Sequence, residues 1–113
     1  MKKVCVIGGS GFLGSHVCDQ LSENGYQVLI YDRTTSAWRR PDQTMIEANI
    51  LDEAALNDAI EDCEAVYNFA AIADLDDALD KPLETVRINI LGNTMVLEAC
   101  RRHNVKRYVY AST

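Results

Sequence analysis

Short runs of almost uninterrupted apolar residues alternate along this chain with stretches in which apolar positions recur every three or four residues, the signature of strands alternating with helices. The apolar runs predict five strands, at 3–7, 27–32, 45–49, 65–70 and 107–112. They are apolar at nearly every position rather than every second one, so both faces of the sheet are expected to be covered, as parallel sheets require. A first helix at 11–23 carries Leu13, Val17 and Leu21 at helical spacing and stops at Asn24-Gly25, a good left-handed terminator. A second opens with Asp52 as N-cap and turns Leu56, Ala59 and Ile60 inward. A third, at 82–103, begins with Pro82, whose missing N–H costs nothing at the first helical position, and directs Val86, Ile90, Leu97 and Cys100 to the core. Right-handed crossovers between successive strands then give an α/β fold: one parallel sheet of about five strands with helices on both faces.

The first strand opens directly into Gly8-Gly9-Ser10-Gly11-Phe12-Leu13-Gly14 and a helix. Gly9, Gly11 and Gly14 fit G-x-G-x-x-G, while Gly8, Gly11 and Gly14 fit G-x-x-G-x-x-G. Strand, glycine turn and helix in this order form a dinucleotide phosphate cradle: Gly8 or Gly9 for the sharp turn, Gly11 for close approach of backbone to a pyrophosphate, Gly14 for close packing of helix on strand. The unpaired N–H groups of the first helical turn, from Phe12 onward, then face the anion.

Composition narrows the function further. The 113 residues are one domain's worth, 48% apolar and 25% charged, with a formal charge of −6 that argues against nucleic acid or an acidic membrane as partner. Arg101, Arg102, His103, Lys106 and Arg107 form a local basic cluster, best explained as cations complementing a helix C-terminus. Cys5, Cys18, Cys63 and Cys100 show no metal-type spacing and are expected to be small core residues in a reducing, cytoplasmic compartment. Asp74, Asp76, Asp77 and Asp80 make an acidic loop without supporting ligands, so no metal is expected.

Asp32 ends the second strand eighteen residues after Gly14, where a carboxylate accepts hydrogen bonds from adenosine ribose hydroxyls and repels a 2′-phosphate. NAD is therefore the expected cofactor, with NADP second because Arg33 could pair with such a phosphate. Asn49 and Ile50, at the end of the third strand, reach an adenine or simply end a strand; both readings stand. Phe69, Ala70 and Ala71 end the fourth strand with small residues that would allow backbone to approach a ribose, a feature that carries nothing by itself. Trp38 either covers the adenine or sits exposed in its loop.

These segments, together with the stretch from Asn89-Ile90-Leu91-Gly92 through Leu97-Glu98-Ala99 to Ala111-Ser112-Thr113, resemble the extended short-chain dehydrogenase/reductases, especially the NAD-dependent sugar-nucleotide epimerases and dehydratases. The resemblance spans the chain and implies a Rossmann-type three-layer sandwich. It implies that Gly8, Gly11, Phe12, Leu13 and Gly14 hold the pyrophosphate, that Asp32 and Arg33 flank the adenosine ribose, and that Asn49 and Ile50 hold the adenine. It places Phe69, Ala70 and Ala71 along the cofactor and Asn89 beside the site. Thr113 matches the catalytic Ser/Thr whose hydroxyl hydrogen-bonds the reacting oxygen, and a nucleotide sugar is the implied small-molecule substrate.

In such enzymes a Tyr-x-x-x-Lys pair follows some two dozen residues later. None of the five tyrosines here has a lysine four residues on, so residues 1–113 are expected to be the cofactor-binding part of a longer enzyme, inactive alone and prone to self-association through an uncovered sheet edge at Tyr108 to Ala111. Asn49 stands where the family usually has aspartate, and Ala73 where several epimerases carry lysine. Two alternatives remain: an NADP-dependent alcohol or ketone reductase of the same superfamily, and a non-catalytic NAD-binding regulatory module.

Overall fold

A computed structural model describes residues 2–70 and 79–110. The elements in chain order are β1 (Lys3–Ile7), α1 (Phe12–Glu23), β2 (Gln27–Asp32), β3 (Thr44–Glu47), α2 (Glu53–Ile60) and β4 (Cys63–Asn68). A single helical rod follows in three parts, α3 (Pro82–Val86), a π-helical segment (Arg87–Gly92) and α4 (Asn93–Arg102), before β5 (Arg107–Tyr110). The five strands form one parallel sheet in the order β3-β2-β1-β4-β5. The chain therefore works outward from β1 to β3 and then crosses back to the other side of β1. That reversal opens a crevice above the C-terminal ends of β1 and β4. Ile7 pairs with both Tyr31 and Asn68, so β1, β2 and β4 end level and deliver their following residues to the same place.

Strand alternation divides the core cleanly. Cys5, Ile7, Leu29, Tyr31 and Val66 face α2 and α4, packing on Leu56, Ala59 and Ile60 and on Val96, Ala99 and Cys100. Val4, Val6, Val28, Ile30 and Ala65 face the other way, onto Cys18 of α1. Among the described residues this second face is covered by α1 alone: Tyr67 and Phe69 stay half-buried, and Val109 of the edge strand β5 keeps 36% of its surface exposed. All four cysteines are buried and free. Burial holds Cys5 well above the ordinary thiol range and pushes Cys63 and Cys100 to about 11 and Cys18 to about 12.

Caps and stops fall where the sequence puts them. Asp52 Oδ1 accepts from the Ala55 N–H at 3.1 Å, Pro82 opens α3, and Gly25 sits at φ 86° after α1. The inward faces of two helices do not. In α1 the buried residues are Gly14, Ser15 and Cys18, while Leu13 is exposed and Val17 and Leu21 are only partly covered. In the long rod Val86, Ile90 and Leu97 point outward, and only Cys100 of the expected set is buried, beside Val96 and Ala99. α1 sits directly on the glycine turn and β1–β2, α4 lies close against α2, and close approach selects small residues for the contact. The π segment adds a second cause, because i→i+5 bonding carries an extra residue around the axis and breaks the 3.6-residue phase on which the expectation rests. β3 and β4 also sit earlier than expected, leaving Asn49 and Ala70 beyond the strands.

Candidate functional site: a cleft above the strand ends

One cleft above the sheet brings together Ile7, Gly8 and Gly11 from the glycine turn, Tyr31, Asp32 and Arg33 from the end of β2, and Ala48, Asn49 and Ile50 after β3. Phe69 and Ala70 after β4 and Ile88 of the π segment complete the wall. Eight of the residues singled out from sequence, Gly8, Gly11, Asp32, Arg33, Asn49, Ile50, Phe69 and Ala70, thus share one cavity. Phe12, Leu13 and Gly14 form the first turn of α1 at its rim, with the Phe12 and Leu13 side chains 76% and 56% exposed. Asn89 belongs to the π segment, next to Ile88. Ala71 and Thr113 lie outside the described residues, as do Ala73, Asp74, Asp76 and Asp77. Trp38 is 58% exposed and does not line the cleft. Ile88 and Ala48 had no sequence signal beyond their neighbours, being ordinary apolar residues.

The turn is built for close approach. Gly8 takes φ 78°, a conformation that strains any residue with a Cβ, and donates its N–H to the Tyr31 carbonyl at 2.8 Å. The sharp bend therefore falls at Gly8, whereas Gly9 lies against Ile30 and Cys18. A Cβ on Gly14 would stand 2.3 Å from the Gly8 carbonyl oxygen, so the helix sits directly on the turn. Gly11 differs: a Cβ there would meet only the Gly8 oxygen, at an ordinary 3.6 Å. Nothing among the described residues requires glycine at that point, and the space that it leaves open belongs to the cleft. Gly11 is also the N-cap of α1, and the Ser15 N–H is the first to find its partner inside the helix, bonding to the Gly11 carbonyl. The amides of Phe12, Leu13 and Gly14 precede it, which makes this rim a donor-rich, positively polarised edge.

The Asp32 carboxylate is fixed at the neighbouring wall. Its Oδ2 accepts from the Ser10 N–H at 3.0 Å and its Oδ1 from the Thr34 N–H at 3.4 Å, while the Ser10 hydroxyl donates to the Thr34 carbonyl at 2.6 Å. The anion is thus aimed by the glycine turn itself, with acceptor capacity left for a diol. Arg33 is exposed beside it and makes no ion pair among the described residues.

The opposite corner depends on a residue that sequence reasoning passed over. Tyr31 is wholly buried, and its hydroxyl donates to the Asn49 carbonyl at 2.7 Å, holding the turn after β3 in place. Burial raises its phenol far above the ordinary range, so the proton stays available for that bond. The clue was a polar tip within an otherwise apolar strand. Asn49 folds its Oδ1 back onto the Leu51 N–H at 2.9 Å, and Ile50 nests against Gly92, where a Cβ would stand 3.0 Å from its Cγ2. The open Gly11 position, the oriented carboxylate and the helix rim together fit a dinucleotide: a slot for a pyrophosphate next to an acceptor for a ribose.

The profile of the NAD dependent epimerase/dehydratase family matches residues 4–113. The chain is 34% identical to a UDP-glucose 4-epimerase of Klebsiella pneumoniae, over 98% of this chain and 88% of that one. It is 33% identical to the UDP-glucose 4-epimerase of Mus musculus, covering all of this chain and 38% of the mouse protein. Among solved structures, the UDP-glucose 4-epimerase of Thermotoga maritima with UDP-glucose superposes with a TM-score of 0.92 at 32% identity, over 98% of this chain and 38% of that one. The Brucella ovis enzyme in complex with NAD gives 0.89 at 33% identity, over 99% and 36%. The chain thus spans little more than a third of the length of most of these relatives. With the level strand ends, the glycine turn and the family profile running through almost every residue, the chain belongs to the NAD dependent epimerase/dehydratase family.

Proposed function

We propose that residues 1–113 form the NAD-binding part of a longer epimerase or dehydratase acting on a nucleotide sugar, and that this part alone binds cofactor without turning over substrate. The observation that carries the reading is the pairing of an open Gly11 position with an Asp32 carboxylate aimed by the Ser10 N–H. In this reading the N–H groups of the first turn, around Phe12, Leu13 and Gly14, hold the pyrophosphate, and Asp32 holds the adenosine ribose. Asn49 and Ile50 meet the adenine, and Phe69, Ala70, Ala71 and Asn89 lie along the rest of the cofactor. NAD supplies hydride acceptance and return at a sugar carbon. Thr113, at the end of the sequence segment that follows β5, donates its hydroxyl to the reacting oxygen. The relatives bound to UDP-glucose and to NAD support these assignments, and the buried, free cysteines fit a cytoplasmic setting.

Arg33 at the cleft wall favours a second reading, an NADP-dependent reductase of the same superfamily. Calorimetric titration of the full-length protein with NAD and NADP separates the two. Tighter NAD binding, with interconversion of a nucleotide sugar, is the expected result. Tighter NADP binding selects the reductase, and no binding of either removes the cofactor reading altogether.

A further inference from the structure

Asn68, the last residue of β4, has no exposed surface, and both ends of its side-chain amide are hydrogen-bonded. One end of the amide faces the Ala70 N–H at 3.0 Å; that backbone group can only donate, so the facing atom is Oδ1. Nδ2 then faces the Tyr108 hydroxyl at 3.0 Å and donates to it. The hydroxyl, accepting from Asn68, must send its own proton elsewhere, and it donates to Asn93 Oδ1. A single backbone N–H thereby fixes the direction of every proton in a chain that crosses from β4 through β5 to the start of α4. Burial pushes the Tyr108 phenol up to about 12, which keeps the donor present at any physiological pH.

The two ends of this chain belong to the two elements that wall the cleft. Ala70 lines it on the β4 side, and Asn93 directly follows the π segment whose Ile88 lines it on the helix side. None of Asn68, Tyr108 and Asn93 lines the cleft itself. We propose that Tyr108 is a positioning residue for the cofactor cleft: its hydroxyl, bonded to Asn68 and Asn93 at once, fixes the separation of the Ala70 wall from the Ile88 wall. This rests on the NAD-binding reading and extends it to a residue on the far strand, β5, that does not touch the cofactor.

The test uses the full-length protein with three substitutions, Tyr108→Phe, Asn93→Ala and Asn93→Asp. NAD affinity is measured by calorimetry at a temperature where thermal melting shows each variant fully folded. Tyr108→Phe and Asn93→Ala should each weaken NAD binding about tenfold, the worth of roughly one net hydrogen bond. Asn93→Asp keeps an acceptor for the hydroxyl and should rescue affinity to within about twofold of wild type. A merely structural role would lower the melting temperature of the first two variants while leaving their affinity unchanged, and that result overturns the proposal. If Tyr108→Phe fails to fold, the Asn93 pair decides, since equal affinity for the Ala and Asp variants is equally fatal. Absence of NAD binding by the wild type defeats both the cofactor reading and this inference, whereas wild-type binding with unaffected variants defeats the inference alone.

Discussion

Two glycines three residues apart should respond in opposite ways to the same added methyl group. At Gly14 a Cβ would lie 2.3 Å from the Gly8 oxygen and 2.8 Å from the Gly9 Cα, both backbone atoms that cannot swing aside. Gly14→Ala therefore forces α1 off the turn, an overpacking cost of about 1–3 kcal/mol, or a fall in Tm on the order of 5–20 °C. At Gly11 the nearest atom is 3.6 Å away and the backbone is extended, with φ −76° and ψ 175°, which alanine adopts freely. The loss of chain entropy on folding drops by about 0.4–1 kcal/mol with alanine, and the poorer N-cap offsets most of it, so stability should barely change. The new methyl does occupy the space that a pyrophosphate needs. Losing about two charge-assisted hydrogen bonds to backbone N–H groups, each about 1.5–3 kcal/mol, weakens NAD binding by at least about a hundredfold. Thermal melting paired with calorimetric titration reads both quantities. NAD binding by Gly11→Ala within about threefold of wild type would refute the placement of the pyrophosphate.

Asp32→Ala should lower NAD affinity about tenfold or more and erase most of the preference over NADP, because it removes both the ribose acceptor and the charge that repels a 2′-phosphate; titration with both dinucleotides checks this. The raised thiols of Cys63 and Cys100, at about 11, mean that the unfolded chain loses these protons first as pH rises. Stability against urea should therefore hold up to about pH 8, then decline through the interval from about 9 to 11, with no compensating rise at lower pH from these groups. The outward stripe of Leu83, Val86, Ile90 and Leu97, with the uncovered β5 edge, should make the isolated 113-residue chain self-associate. Sedimentation of a stable monomer at the highest soluble concentration would count against it.

The strands were legible because burial on both sides leaves little room for polar residues, so the apolar runs themselves mark β1, β2 and β4. The turn was legible for a related reason: its glycines answer to sterics that act within a few residues. Gly8 bends and Gly14 yields to backbone, both decided locally. Helix faces were harder, since Leu13, Val86, Ile90 and Leu97 are large apolar groups at helical spacing and yet face out, while Ser15, Cys18 and Ala99 face in. Size marks hydrophobicity, whereas close approach to the glycine turn or to a neighbouring helix demands smallness, and only the three-dimensional arrangement says which prevails. The site divides along the same line. The position of Asp32 at the cleft was legible because it follows from the residue's spacing to the glycines. Tyr31, Ile88 and the Asn68–Tyr108–Asn93 chain were missed because their partners lie between 15 and 40 positions away or belong to a face that the sequence pattern does not show.

The π segment makes the long helix behave like a shaft with a local collar between its two ends. Upstream, Leu83, Val86 and Ile90 share the outward side; downstream, Val96, Ala99 and Cys100 are keyed to the core, and Ile88 between them reaches the cleft. An i→i+5 turn carries one residue more than an α turn through nearly the same rotation, so a chain one residue shorter in 87–92 would run as plain α-helix with its two ends almost as they are. The surplus residue is therefore spent locally, in widening the helix where Ile88 meets the cleft wall, and not in re-aiming Val96, Ala99 and Cys100. A deletion here reshapes the wall, while the packing of the helix on the core is left in register.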